Sequence, residues 1–224
     1  MRKFYFVFLC LCLIKFASAN VLTTCPDGTY PAQFTGLQAA HDAASDGDTI
    51  YVYPGNYFNG VVLQFTKRLV LIGPGLSPMR PDGRPALLDV LQAKTAASSG
   101  SVFMGLQFAA IQFGDYGGAP LDNITLSNCR FNQTVAFLSG GSNIQILNCV
   151  LHSDMISAGG YISIGGNNGA ANLLVQNCYF HGSLNLQGGS TGTIRNCVFA
   201  SGNANDYAFY GVGGVYAQPW GAGM

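Results

Sequence analysis

Four segments of the chain can be laid over one another: ITLSNCRF (Ile124 to Phe131), IQILNCVL (Ile144 to Leu151), LLVQNCYF (Leu173 to Phe180) and GTIRNCVF (Gly192 to Phe199). Their cysteines lie 20, 29 and 19 residues apart. A Gly-Gly pair precedes each motif, at Gly117-Gly118, Gly140-Gly141, Gly165-Gly166 and Gly188-Gly189. Within a motif the apolar residues alternate up to the Asn, then alternate again in the opposite phase. Ile124 and Leu126 face one way, and Cys129 and Phe131 resume that direction after Asn128. A period of two is a strand, and a phase slip at Asn is a sharp bend, because Asn tolerates the left-handed conformation of a tight turn. Two strands joined at an angle, repeated every ~20 residues, make one coil of a solenoid. SVFMGLQF (Ser101 to Phe108) fits the same frame, with Gly105-Leu106 in place of Asn-Cys.

Stacked coils lie ~4.8 Å apart, which places Asn128, Asn148, Asn177 and Asn196 in one ladder of side-chain amides. Cys129, Cys149, Cys178 and Cys197 then form a parallel internal file. Their Cβ atoms stack at ~4.8 Å, whereas a disulfide wants about 3.8 Å, so reduced, buried thiols are expected. No CxxC or neighbouring His completes a tetrahedral site, and no metal is expected at the file. Cys25 is left without an assigned partner.

The start of the chain reads as a signal peptide. Arg2 and Lys3 precede an apolar run from Phe4 to Ile14, and Ala17-Ser18-Ala19 offers a cleavage site after Ala19. Lys15 ends the run short of the ~20 residues that a membrane span requires, and no later segment could span. This implies a secreted or cell-surface protein with no membrane span after cleavage. Once Arg2, Lys3 and Lys15 are removed, 7 basic residues face 10 acidic ones, all of them Asp. With no basic block, nucleic acid is not an expected partner.

Upstream of the repeats, Thr35-Gly36-Leu37-Gln38 has capping-box spacing, and Leu37, Ala40 and Ala44 share one face of a short helix. Then follow GDTIYVYPGNY (Gly47 to Tyr57), VVLQF (Val61 to Phe65) and KRLVLIGPG (Lys67 to Gly75). This order of capping helix, "GDTI-V-PG-Y" strand and "LIGPG" strand resembles the opening of the pectin-lyase-like β-helix proteins. The expected fold is all-β, a right-handed parallel β-helix (solenoid) with a short N-terminal capping helix. Its parts are a signal peptide at 1–19, a lead-in at 20–34, the β-helix at 35–199 and a Gly- and aromatic-rich tail at 200–224. The tail could be a C-terminal cap or the start of a further coil.

The resemblance implies enzymes acting on acidic polysaccharides, lyases with Ca²⁺ on clustered carboxylates or hydrolases with closely spaced Asp. Neither constellation is visible: there is no Asp-Asp pair and no Gly-His-Gly. Asp46 and Asp48 read as turn formers, Arg80-Pro81-Asp82-Gly83-Arg84 as a solvated turn, and Asp115 and Asp122 as loop residues. The favoured expectation is a non-catalytic extracellular surface or glycan-binding element. The alternative is a polysaccharide lyase or glycoside hydrolase with a degenerate site. No cofactor is expected, although Ca²⁺ stays open for a lyase, and the oligomeric state is left open.

A ligand, if bound, is expected on the outward face of the second strand of each coil. One residue after the motif Cys stand Arg130, Val150, Tyr179 and Val198, and three after it stand Asn132, His152, His181 and Ala200. Asp154 lies in an insertion beside the His pair. Arg130, His152, Asp154, Tyr179 and His181 are therefore the candidate binding residues, suited to an extracellular anionic polysaccharide. Asn123-Ile124-Thr125 and Asn132-Gln133-Thr134 are glycosylation sequons.

Overall fold

The computed structural model describes residues 19–75, 83–152, 161–164, 169–181, 183–186, 189–199, 209–211 and 215–217. The signal segment, Arg80-Pro81-Asp82 and Asp154 lie outside the described residues. Alternating short strands and sharp turns build three large, wholly parallel sheets and a small fourth, in which Gly141–Ser142 pairs with Ala170–Ala171. Sheet A stacks Val21–Thr24, Thr49–Val52, Val70–Ile72, Val102–Met104, Thr125–Ser127, Gln145–Leu147, Leu173–Gln176, Gly192–Arg195 and Val215–Ala217. Sheet B runs from Gly55–Asn56 through Ala86–Leu88, Gln107–Phe108, Arg130–Phe131, Val150–His152 and Tyr179–His181 to Val198–Phe199. Sheet C runs from Leu63–Gln64 through Leu91–Ala93, Ile111–Phe113, Val135–Phe137, Tyr161–Ile164 and Ser183–Leu186 to Phe209–Gly211. Each strand pairs with its equivalent one coil on, so the chain is a parallel β-helix, as the repeat required.

The alternation read from the motifs is the alternation of burial. Ile124, Leu126, Cys129 and Phe131 are fully buried, and so are Ile144, Ile146 and Val175. Leu106 fills the Cys position of its coil and is likewise fully buried. Inside the stack, like side chains meet like: Phe108 on Phe131, Phe113 on Phe137, and Phe180 on Phe199, with ring centroids 5.5, 4.5 and 4.7 Å apart. Near-parallel rings follow from in-register coils, which repeat a side chain at the strand spacing.

The lead-in supplies the first strand of sheet A, since Val21 to Thr24 pair with Thr49 to Val52. Two segments of the tail extend the stack at the other end. Phe209–Gly211 pairs with Leu184 to Leu186, and Val215–Ala217 with Gly192 to Ile194.

The capping helix, α1, spans Leu37–Ala43 and buries Leu37, Ala40 and His41. One expectation is corrected here. The N-cap is Gly36 and carries no side-chain cap, so Thr35 does not open a capping box. The Gln38 side chain is engaged elsewhere: its Oε1 accepts from the Gln64 N–H and its Nε2 donates to Asp42. At the other end, the Lys67 ammonium donates to the carbonyls of His41, Asp42 and Ala44 at 2.9, 2.8 and 2.7 Å, satisfying acceptors that a helix end leaves open. His41 Nε2 accepts the Thr66 N–H at 3.0 Å, which leaves the ring proton on Nδ1, 3.0 Å from Asp42 Oδ1. The helix is thus stitched to the first full coil by polar contacts as well as by its apolar face.

Candidate functional site

Sheet B carries the expected binding face. In-register pairing places Arg130 beside Val150, Val150 beside Tyr179, and Tyr179 beside Val198. The same ladder puts His152 directly opposite His181. Tyr179 and His181 share one face of one strand, two residues apart, with Tyr179 exposed and His181 half-buried. His152 and His181 thus hold paired register positions, with Tyr179 two residues before His181. Arg130 stands two strands from Tyr179, about 10 Å away, with Val150 between them. Arg130 is half-buried, and its Nε is buried without a hydrogen-bond partner. The face is thus an aromatic and imidazole pair flanked by a cation one strand further off.

The seven described Asp side chains are all engaged locally. Asp48 is buried and accepts the N–H groups of Asn20 and Ser45 at 2.7 and 2.8 Å, which holds its carboxyl below the ordinary range. Asp27 accepts from Thr29 and Cys25, and its carboxyl is lowered chiefly by the Thr29 hydrogen bonds. Asp42 is lowered by His41 and Gln38. Asp46 accepts the Arg68 N–H, Asp89 the N–H groups of Gly60 and Val90, and Asp115 pairs with Lys94 at 3.1 Å. Asp122 takes both the N–H and the hydroxyl of Ser142, so it ties two coils together. Among the described residues, no group of three or more His, Cys or carboxylate side chains is placed to hold a metal ion.

The four motif Asn residues share one left-handed backbone conformation, with one amide rung between them, while Asn128 Nδ2 donates to Ser127 Oγ at 3.2 Å. Asn128, Asn148, Asn177 and Asn196 have φ of 51, 53, 55 and 53°, and Asn177 Nδ2 donates to Asn148 Oδ1 at 3.0 Å. All four motif cysteines are free thiols; Cys129, Cys149 and Cys178 are buried, and Cys197 is half-buried. Each Sγ donates to backbone carbonyls, as Cys149 does to Leu126 and Leu147. Cys149 is pushed well above the ordinary thiol value by its contacts with Cys129 and Cys178 and by burial.

A second ladder went unread in the sequence. Asn123, Asn143 and Asn172 also adopt φ of 55–59°, with Asn143 donating to Asn123 at 3.0 Å and Asn172 to Asn143 at 3.2 Å. The signal was present: an Asn stands five residues before each of three motif Asn residues. The first sequon Asn thus belongs to a ladder, and the second, Asn132, accepts from Gln107. On sheet C an outward row of Gln64, Gln92 and Gln112 is hydrogen-bonded end to end at 3.4 Å per step. Also unforeseen is an aromatic group at the N-terminal rim: Tyr30 stacks on Tyr53 at 4.9 Å, and Tyr51 meets Tyr53 edge-on at 5.1 Å.

Comparisons with protein-family models, curated proteins and solved structures find no match to this chain.

Proposed function

We propose that the chain is a non-catalytic extracellular β-helix, a secreted relative of the pectin-lyase-like proteins, that binds anionic polysaccharide on the outer face of sheet B. The observation that carries this reading is the in-register His152–His181 pair with exposed Tyr179 on the same face. An aromatic ring offers a sugar its flat apolar face, and paired imidazoles offer hydrogen bonds and, when protonated, positive charge to a carboxylate or sulfate. The engagement of every described Asp in hydrogen bonds or an ion pair within the fold supports a binding rather than a cleaving role, because acid–base or Ca²⁺-assisted chemistry needs carboxylates free to meet the substrate. No described helix is long and apolar enough to cross a membrane. The test is retention on affinity gels of acidic polysaccharide at about pH 5.5 and about pH 7.5, either side of the free imidazole range. Retention should be stronger at the lower pH and fall in the His152→Ala/His181→Ala and Tyr179→Ala variants. Equal retention of all three proteins at both pH values would refute the site. Release of unsaturated uronide from the gel would refute the non-catalytic reading.

A further inference from the structure

The outward face of sheet A is the widest among the three large sheets, with nine strands against seven in each of the other two. Its strands present two rows of side chains, ~4.8 Å apart along the stack. One row reads Val21, Thr49, Val70, Val102, Thr125, Gln145, Leu174 and Thr193; the other reads Thr23, Tyr51, Ile72, Met104, Ser127, Leu147, Gln176 and Arg195. Across these sixteen positions there is no carboxylate and a single cation, Arg195, at one end. Tyr51, Val70, Ile72, Val102 and Met104 form an unbroken apolar block on three successive strands, with Met104 37 % exposed. Contiguous apolar patches of this extent mark interaction surfaces.

We infer that this face is the interface of a two-fold homodimer, in which sheet A of one copy packs on sheet A of a second with the axis parallel to the strands. The charge pattern selects that axis. A two-fold along the stack would exchange the rows and bring both copies of Arg195 to one level of the interface, about 7 Å apart, with no carboxylate between them. A two-fold along the strands, centred on Thr125–Ser127, reverses the order of strands and keeps the rows aligned. Each row then meets its own reverse. Val70 faces Leu174 of the second copy, Met104 faces Leu147, and Ile72 lies over the Gln176 stem. Tyr51 faces Arg195, the one charge, and brings the Tyr30–Tyr53 stack beside it. Arg195 is held for this contact, because its Nε and Nη2 donate to Gln176 Oε1 at 2.9 and 2.6 Å. A guanidinium over an aromatic face gains a cation–π contact while Arg195 keeps its hydrogen bonds to Gln176. At the centre Thr125 and Ser127 meet their own copies, and small side chains there let two sheets approach to ~10 Å.

The size is adequate for a reversible dimer. Nine strands at ~4.8 Å span about 38 Å, and two rows with their flanks about 15 Å, giving on the order of 1,000 Å² over both copies. That is the lower bound of specific interfaces. The pairing of Tyr51 with Arg195 is open to a charge swap. Sedimentation equilibrium of the chain from Asn20, which contains every described strand, should show a monomer–dimer equilibrium. Tyr51→Arg should weaken it by at least about tenfold, and adding Arg195→Glu in the same chain should restore it. Met104→Glu, at an exposed position, should weaken it with an unchanged circular dichroism spectrum. A monomer at all concentrations up to about 1 mM would overturn the proposal. So would a dimer indifferent to Tyr51→Arg and Met104→Glu, or a charge-swapped protein that stays monomeric.

Discussion

The corner between sheets A and B is turned in two ways along the same molecule. Upstream it is turned by Gly73 and Gly105, downstream by Asn128, Asn148, Asn177 and Asn196. Gly73, Gly105, Asn128, Asn148 and Asn177 form a single file, because each donates its N–H across to the next coil in the same manner. Gly73 donates to Met104 O, Gly105 to Ser127 O, Asn128 to Leu147 O, Asn148 to Gln176 O and Asn177 to Arg195 O. Gly105, with φ of 67°, occupies the left-handed region that the Asn residues reach at 51–55°. The difference lies in what surrounds the corner. A Cβ on Gly73 would lie 2.5 Å from Gly105 O and 2.5 Å from Leu106 Cδ2, and one on Gly105 would lie 2.9 Å from Gly75 N. The Gly73-Pro74-Gly75 segment crowds the corner, leaving room for backbone alone. Downstream a side chain is accommodated, and it can return a hydrogen bond to its neighbour, as Asn177 does to Asn148. One backbone requirement is met by absence of a side chain where space is short, and by a self-pairing side chain where it is not.

The comparison breaks most visibly at the crowded end. Gly73→Ala should destabilise the protein by about 3 kcal/mol or more, because the clash is with backbone that cannot move aside. Gly105→Asn, which imports the downstream solution, should cost about 1–3 kcal/mol rather than stabilise. Urea unfolding followed by circular dichroism reads both, and neutrality of Gly105→Asn would show that the two corners are interchangeable. Downstream, Asn148→Ala should cost about 2 kcal/mol, through the lost ladder bond and the left-handed φ. Asn148→Gly should cost only about 1 kcal/mol, because glycine removes the conformational part. Equal costs would mean that the ladder alone matters.

The smallest effect separates the two ends by pH. The upstream turn at Ser45 to Asp48 is closed by a carboxylate whose folded value is depressed, and the Asn ladders carry no titrating group. Stability from Asp48 is therefore complete above its unfolded value, ~3.9, and is lost as pH falls through the lower folded value. Amide exchange at Asn20 and Ser45 should accelerate in acid before exchange at Asn148 and Asn177. Simultaneous loss of protection would remove the distinction.

The coil frame, the inward residues and the Asn corner were all legible, because period-two burial and a fixed phase slip leave repeated marks in the sequence. The Asn123–Asn143–Asn172 ladder was equally marked but lay outside the motif as drawn. The Thr35 capping box was misread because Gln38 bonds a residue 26 positions away, which local spacing does not report. On the binding face, coil order in the sequence already set Val150 between Arg130 and Tyr179, and the register has the same order.

In-register pairing also sets the size of the step by which such a chain can change. Gly105, Asn128 and Asn148 make the same bond to the coil that follows, so a coil excised whole leaves two surfaces that still match. Excision of residues 125–144 would bring Val102–Met104 against Gln145–Leu147, each row keeping its face and each corner its donor. Removal of a single residue would instead turn every side chain of a strand to the wrong side. For this molecule, lengthening and shortening proceed by whole turns, as thread is added to or cut from a screw.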